Sequence, residues 1–154
     1  MSPWELLDHP PFGREVSLVG LRSYIIYFIA FNRCKAVFVD TDRVPAFDSR
    51  VGDLVQNEIE GKLVYQITET LLQCGVSQKQ IGIMSLYQQQ IKLLSHLLQG
   101  KNDIEILTAD KSQGRDKDCV IISMVRSNDS GQVCSELFGF PYPRVLIKFA
   151  GLDR

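Results

Sequence analysis

Ile106–Asn128 reads ILTADKSQGRDKDCVIISMVRSN, and the fold turns on how this stretch is interpreted. Apolar, β-branched runs bracket a polar segment that carries one glycine, three acids and three bases. The runs IEIL (Ile104–Leu107) and CVIISMV (Cys119–Val125) are too short for ordinary helices and rich in strand-favouring residues, so both are expected strands.

Working outward, AVFVD (Ala36–Asp40) and IGIMS (Ile81–Ser85) have the same character and are expected strands. Between Glu58 and Gln73, Ile59, Leu63, Ile67 and Leu71 recur every fourth residue, which predicts one buried helix face, and Gly75 stops that helix. YQQQIKLLSHLLQG (Tyr87–Gly100) predicts a second helix with Ile91, Leu94 and Leu98 inward. DTDRVPAFDSRVGD (Asp40–Asp53), with Pro45 and Gly52, is expected to be a loop. Strands alternating with helices predict an α/β fold with a mostly parallel sheet. In such open sheets ligands bind outside the carboxyl ends of the strands, which is where Thr108–Asp118 is expected.

The chain has 154 residues, enough for one domain with a real core, and its 45% hydrophobic and 23% charged residues are ordinary globular values. A formal net charge of −1 removes a strongly basic surface as an argument for nucleic acid, but leaves room for a local contact strip. Cys34, Cys74, Cys119 and Cys134 have no metal-ligand spacing, and His9 and His96 stand alone, so reduced structural thiols and no metal site are expected. YIIYFIAF (Tyr24–Phe31) is far shorter than the roughly 20 residues of a membrane helix. Glu5 and Asp8 precede it where a signal peptide wants positive charge, so neither a membrane span nor a signal peptide is expected.

The polar segment contains groups suited to a nucleotide. Gly114 lets backbone N–H groups approach a phosphate without a Cβ in the way. Arg115 forks onto phosphate or carboxylate, Asp116 accepts from a ribose hydroxyl, and Gln113 both donates and accepts. A solvated loop with cancelling charges is the plainer alternative for these four residues, and the first expectation for Lys111, Lys117 and Asp118.

The longer stretch TADKSQGRDKDCVIISMVRSN resembles motif V of superfamily 1 helicases, T-V-D-x-x-Q-G-R-E/D-K-D, and the strand after it. IGIMSLYQQQIKLL (Ile81–Leu94) is similar to that group's segment ending in P-Y-x-x-Q. With Asp116 and VFVDTDRVPAF (Val37–Phe47), residues 36–137 resemble the eukaryotic DNA replication ATP-dependent helicase/nucleases. The resemblance implies a partial second RecA-like domain, flanked by a non-matching extension at 1–35 and a divergent tail at 138–154. It implies that Gln113, Gly114, Arg115 and Asp116 face ATP, and that Ser85, Tyr87, Gln90, Thr108, Ser123 and Arg126 line single-stranded DNA. An ion pair at the strand end is the equal alternative for Arg126. Leu86 and Gln88 depart from the family's proline and frequent arginine.

The chain has no G-x-x-x-x-G-K-S/T loop, no strand ending in paired Asp-Glu, and no motif VI arginine after Leu137. ATP and Mg2+ would therefore be shared with another domain, and an iron–sulfur cluster would belong only to the family's nuclease domain. Alone, the chain is expected to be inactive; within the whole enzyme the resemblance implies DNA unwinding and 5′-flap processing. The implied partners are single-stranded or flap DNA, ATP and a single-strand-binding protein, in the nucleus or mitochondrion.

Two other classes remain open at this point. AVFVDTDRV fits the D-x-D loop of haloacid-dehalogenase-like phosphohydrolases, with Asp40 as nucleophile, Asp42 as acid/base and Ser85 as phosphoryl holder. A non-enzymatic binding fragment is the other.

Overall fold

The computed structural model describes residues 36–40, 48–125 and 144–149. Among these residues, five strands form one sheet in the order β1 (Ala36–Asp40), β7 (Arg144–Phe149), β6 (Cys119–Ser123), β4 (Ile81–Ser85), β5 (Glu105–Thr108). β4 runs parallel to β5 and β6, and β7 runs antiparallel to both β6 and β1. β1, β4, β5 and β6 thus share one direction, and the fold is α/β with a partial RecA-like sheet.

The expected loop at 40–53 folds at its end into a hairpin of β2 (Ser49–Val51) and β3 (Leu54–Gln56). Gly52 makes this possible, because the two-residue turn needs a positive φ and Gly52 supplies +64°. The tail at 138–154, given no element from sequence, supplies β7 between β1 and β6.

Helix α1 (Glu58–Gln73) starts where the Asn57 side chain accepts from the Glu60 amide at 2.9 Å, and Glu58 puts negative charge at its positive end. It ends in a Schellman turn: Gly75 N donates to Leu72 O and Val76 N to Leu71 O, each at 3.1 Å. Gly75 adopts φ +91° there, and Val76 and Leu71 both lie in the core.

The inward face of α1 differs from the expected one. Ile67 and Leu71 are fully buried, but Ile59 is 39% exposed and Glu60 and Val64 occupy the inner positions. The spacing Glu60, Val64, Ile67, Leu71 is still helical; the face is rotated because a polar group sits at its first turn. On α2 (Gln88–Leu97), Gln90 and Leu94 are buried and Ile91 is only half-buried. Leu98, just past α2, joins the core.

Alternation places Ile81, Ile83 and Ser85 on one face of β4, and Cys119, Ile121 and Ser123 on the same face of β6. These apolar residues pack with Val64, Ile67, Leu71 and Leu94, so α1 and α2 cover that face. Gly82 points the other way, where a Cβ would meet Lys117 Cγ at 3.0 Å. The crossover from β5 to β6, with its single helical turn α3 (Ala109–Ser112), therefore passes over the opposite face.

Candidate functional site

Ser85, Thr108 and Ser123 are the last residues of β4, β5 and β6. Ser85 pairs with Thr108 on one side and Ser123 on the other. The three hydroxyl residues therefore form one row across the carboxyl edge, about 10 Å wide at about 4.8 Å per strand. The row is sunk beneath the helix starts, with exposures of 1% for Ser85, 8% for Thr108 and 0% for Ser123.

Each hydroxyl has a different setting. Ser85 Oγ accepts from the Tyr87 amide at 3.3 Å, which fixes the turn into α2 and leaves Tyr87 half-buried just before that helix. Thr108 stands immediately before α3. Ser123 Oγ donates to Glu60 Oε1 at 2.5 Å and accepts from Gln90 Nε2 at 3.1 Å, so its hydroxyl is engaged within the protein.

Ser123 opens a polar cluster that the sequence analysis did not identify. Gln90 Nε2 also donates to the Asn57 carbonyl at 3.1 Å, and Gln90 Oε1 accepts from the Asn57 amide at 2.9 Å. Asn57 Nδ2 donates to the Val125 carbonyl at 3.0 Å, while the Val125 amide donates to Glu60 Oε1 at 2.9 Å. Asn57, Glu60, Gln90, Ser123 and Val125 are all buried, so the starts of α1 and α2 and the end of β6 are fastened together.

Burial pushes the Glu60 carboxyl above its ordinary value of 4.5, although the Ser123 hydroxyl and the Val125 and Met124 amides pull the other way. Glu60 Oε2 is buried with no hydrogen-bond partner among the described residues. A sequence signal for part of this cluster exists: Asn57-x-x-Glu60 ahead of an apolar period is a helix-start signature. It identifies the cap but not the partners 33 to 68 positions away.

Gln113, Gly114, Arg115 and Asp116 lie together in one exposed turn, but away from the hydroxyl row. β6 begins beside Ile81, at the amino end of β4, so the crossover must travel back along the sheet. Arg115 Nη1 lies 3.5 Å from Glu105 Oε2, at the start of β5. Glu105 stands three residues from Thr108, about 10 Å along the strand at 3.3 Å per residue. The expectation of a segment wholly at the carboxyl ends is corrected accordingly: Thr108 is at that edge, and Arg115 has returned to the other.

Gly114 holds φ +78° in open space, with nothing within 4 Å of where a Cβ would stand, so its backbone remains approachable. Lys117 and Asp118 are not merely solvated charges. Lys117 Nζ reaches Glu105 Oε1 at 3.1 Å and the Lys79 carbonyl at 2.8 Å, and Asp118 Oδ2 accepts from Gln80 at 2.9 Å. These contacts anchor the base of the turn while Gln113, Gly114 and Asp116 stay exposed and Arg115 reaches back to Glu105.

Arg126, Asp42, Tyr24–Phe31, Cys34 and Cys134 lie outside the described residues. Asp40 ends β1 opposite Arg144. Cys74 and Cys119 are free thiols, and burial pushes Cys119 up to about 12, making it a poor nucleophile at neutral pH. No group of acidic, histidine or cysteine residues among those described is arranged to hold a metal ion. No described helix is long and apolar enough to cross a membrane.

Residues 20–140 match the family model described as an AAA domain, a span that includes the hydroxyl row, the buried cluster and the exposed turn. The chain is 41% identical over 97 residues to the DNA replication ATP-dependent helicase/nuclease of Schizosaccharomyces pombe, covering 63% of this chain and 7% of the relative. It is 42% identical over 93 residues to that of Arabidopsis thaliana, covering 60% of this chain and 7% of the relative. It is 41% identical over 97 residues to that of Homo sapiens, covering 62% and 9%. The chain thus spans less than a tenth of the length of these relatives.

Proposed function

Because the chain belongs to the AAA domain family, as its match over residues 20–140 shows, we propose that it forms one part of an ATP-dependent DNA helicase/nuclease. In this reading the carboxyl edge is a stretch of single-stranded DNA track, and the exposed turn is one wall of an ATP cleft completed by another domain. The observation that carries the reading is the in-register row of Thr108, Ser85 and Ser123 at the edge where sheets of this class bind ligands.

Thr108 offers its hydroxyl to a DNA phosphate, a contact that positions a strand without reading its sequence, and Ser85 fixes the turn beside it. Tyr87, at the mouth of the turn after β4, gives a face for base stacking. Ser123 and Gln90 belong to the same edge from below, and Arg126 follows it in sequence. On the opposite side of the crossover, Gly114 presents open backbone to phosphate, Asp116 accepts from a ribose hydroxyl, and Gln113 and Arg115 flank them. ATP with Mg2+ supplies the driving reaction when bound between domains. The parent activity is unwinding with 5′-flap processing beside a single-strand-binding protein, in the nucleus or mitochondrion, and the chain alone is inactive.

The test is a fluorescence-polarisation titration of labelled oligothymidylate with the folded chain at low and moderate salt. Saturable binding that weakens with salt and falls in Thr108→Ala is expected. A folded chain that does not bind overturns the DNA-track reading.

A further inference from the structure

Val125 is the one non-glycine residue with a left-handed backbone among those described, at φ +69°. It is β-branched and fully buried, and this is the conformation a β-branched side chain most resists. Such a residue persists only where its surroundings over-determine it, and backbone of this kind collects at functional sites. Both polar groups of the Val125 backbone are held by the start of α1: its amide by Glu60 Oε1 and its carbonyl by Asn57 Nδ2. Glu60 Oε1 takes the Ser123 hydroxyl as well, and Gln90 closes the ring through Ser123 and the Asn57 backbone.

We propose that Asn57 and Glu60 are positioning residues: they hold Val125 in a left-handed turn at the end of β6 and so set the course of the DNA-facing edge. The proposal rests on the DNA-track reading of that edge. It assigns Ser123 a role through Glu60 and Gln90 rather than through a free hydroxyl. Left without this clamp, Met124 and Val125 relax towards extended backbone, and the end of β6 loses its set position beside Ser85 and Thr108. Gln90, one turn into α2, ties the same clamp to the segment bearing Tyr87, so the two sides of the edge are set together.

Four variants of the chain test this, read by oligothymidylate affinity, by hydrogen exchange at the Val125 amide and by melting temperature. Glu60→Ala removes the acceptor, so Val125 exchange rises while Ile121 in mid-strand stays protected, and affinity falls about tenfold. Glu60→Gln keeps an accepting oxygen and restores most of both. Glu60→Ala with Val125→Gly recovers affinity to within about threefold of the unmodified chain, because glycine takes positive φ freely, yet it melts lower because a buried side chain is gone. Affinity rising while stability falls is an outcome that a purely structural role for Glu60 does not produce. Should Glu60→Ala not fold, Glu60→Asp decides, since its shorter side chain draws the carboxylate back from Val125 and must also raise exchange there. Val125 exchange unchanged in the Glu60 variants overturns the proposal. So does affinity that tracks melting temperature across all of them. If the unmodified chain binds no oligothymidylate, the DNA-track reading fails, and the exchange data alone still decide whether Glu60 holds the turn.

Discussion

Asn57→Asp separates an ordinary helix cap from the clamp the structure shows. As a cap the change is nearly neutral, because asparagine and aspartate serve equally well at that position. In this fold Asn57 uses both ends of its amide: Oδ1 accepts from the Glu60 amide at 2.9 Å, and Nδ2 donates to the Val125 carbonyl at 3.0 Å. Aspartate keeps the first bond and turns the second into an oxygen facing an oxygen, in a place with no access to water. Leaving that buried carbonyl unsatisfied costs about 1–3 kcal/mol, and a second carboxylate beside Glu60 adds to it. At about 2–4 °C per kcal/mol for a chain of this size, a central cost of about 2 kcal/mol lowers the melting midpoint by about 4–8 °C. Far-UV circular dichroism during thermal and urea unfolding reads this directly, with the urea slope unchanged if the folded state keeps its compactness. Asn57→Ala, which loses cap and clamp together, should cost about 3 kcal/mol. A melting midpoint for Asn57→Asp within about 2 °C of the unmodified chain would refute the reasoning.

Other consequences follow from the same geometry. Glu60 binds its proton more tightly folded than unfolded, so the stability it contributes is full below 4.5 and is lost as pH rises towards its raised value. Urea titrations should therefore show the stability of the unmodified chain minus that of Glu60→Gln declining with rising pH, and a flat or rising difference contradicts this. Ile67→Ala empties a fully buried site among α1 core residues and should cost about 2–5 kcal/mol by urea unfolding. Arg115→Ala should change stability by less than about 0.5 kcal/mol, because its 3.5 Å pairing with Glu105 is 60% exposed on the arginine side.

Strand β4 is legible from sequence because a buried parallel strand is a plain apolar run, and AVFVD of β1, which pairs antiparallel with β7, likewise has no competing pattern. The same criterion overruns at CVIISMV, where the strand stops at Ser123. Met124 and Val125 are as apolar as their neighbours, and hydropathy does not register that the backbone of Val125 has reversed. On α1 the bounds follow from Asn57 and Gly75, but the inward face does not. Periodicity counts Ile59 as a core residue and Glu60 as a surface one, whereas long-range acceptors at Ser123 and Val125 draw Glu60 inside. The candidate site divides in the same way. Of its row of hydroxyls only Ser85 ends a strand where the apolar run does, since IEIL stops one residue short of Thr108 and CVIISMV runs two past Ser123, while the distance between that row and Arg115 depends on how the crossover returns, which no local pattern encodes.

The position of β7 bears on how the chain acquires its sheet during synthesis. β1 pairs with β7 and is separated by it from β6, so residues 36–40 have no place in the sheet until residues 144–149 exist. At about 5–20 residues per second, a ribosome needs roughly 5–20 s between the two. Through that interval β4, β5, β6 and both helices can assemble, leaving the flank of β6 as an open edge onto which another strand can pair. Among the described strands, the first to be made is thus the last to be seated, and a nascent chain is most exposed to mispairing in the seconds before Arg144–Phe149 arrives.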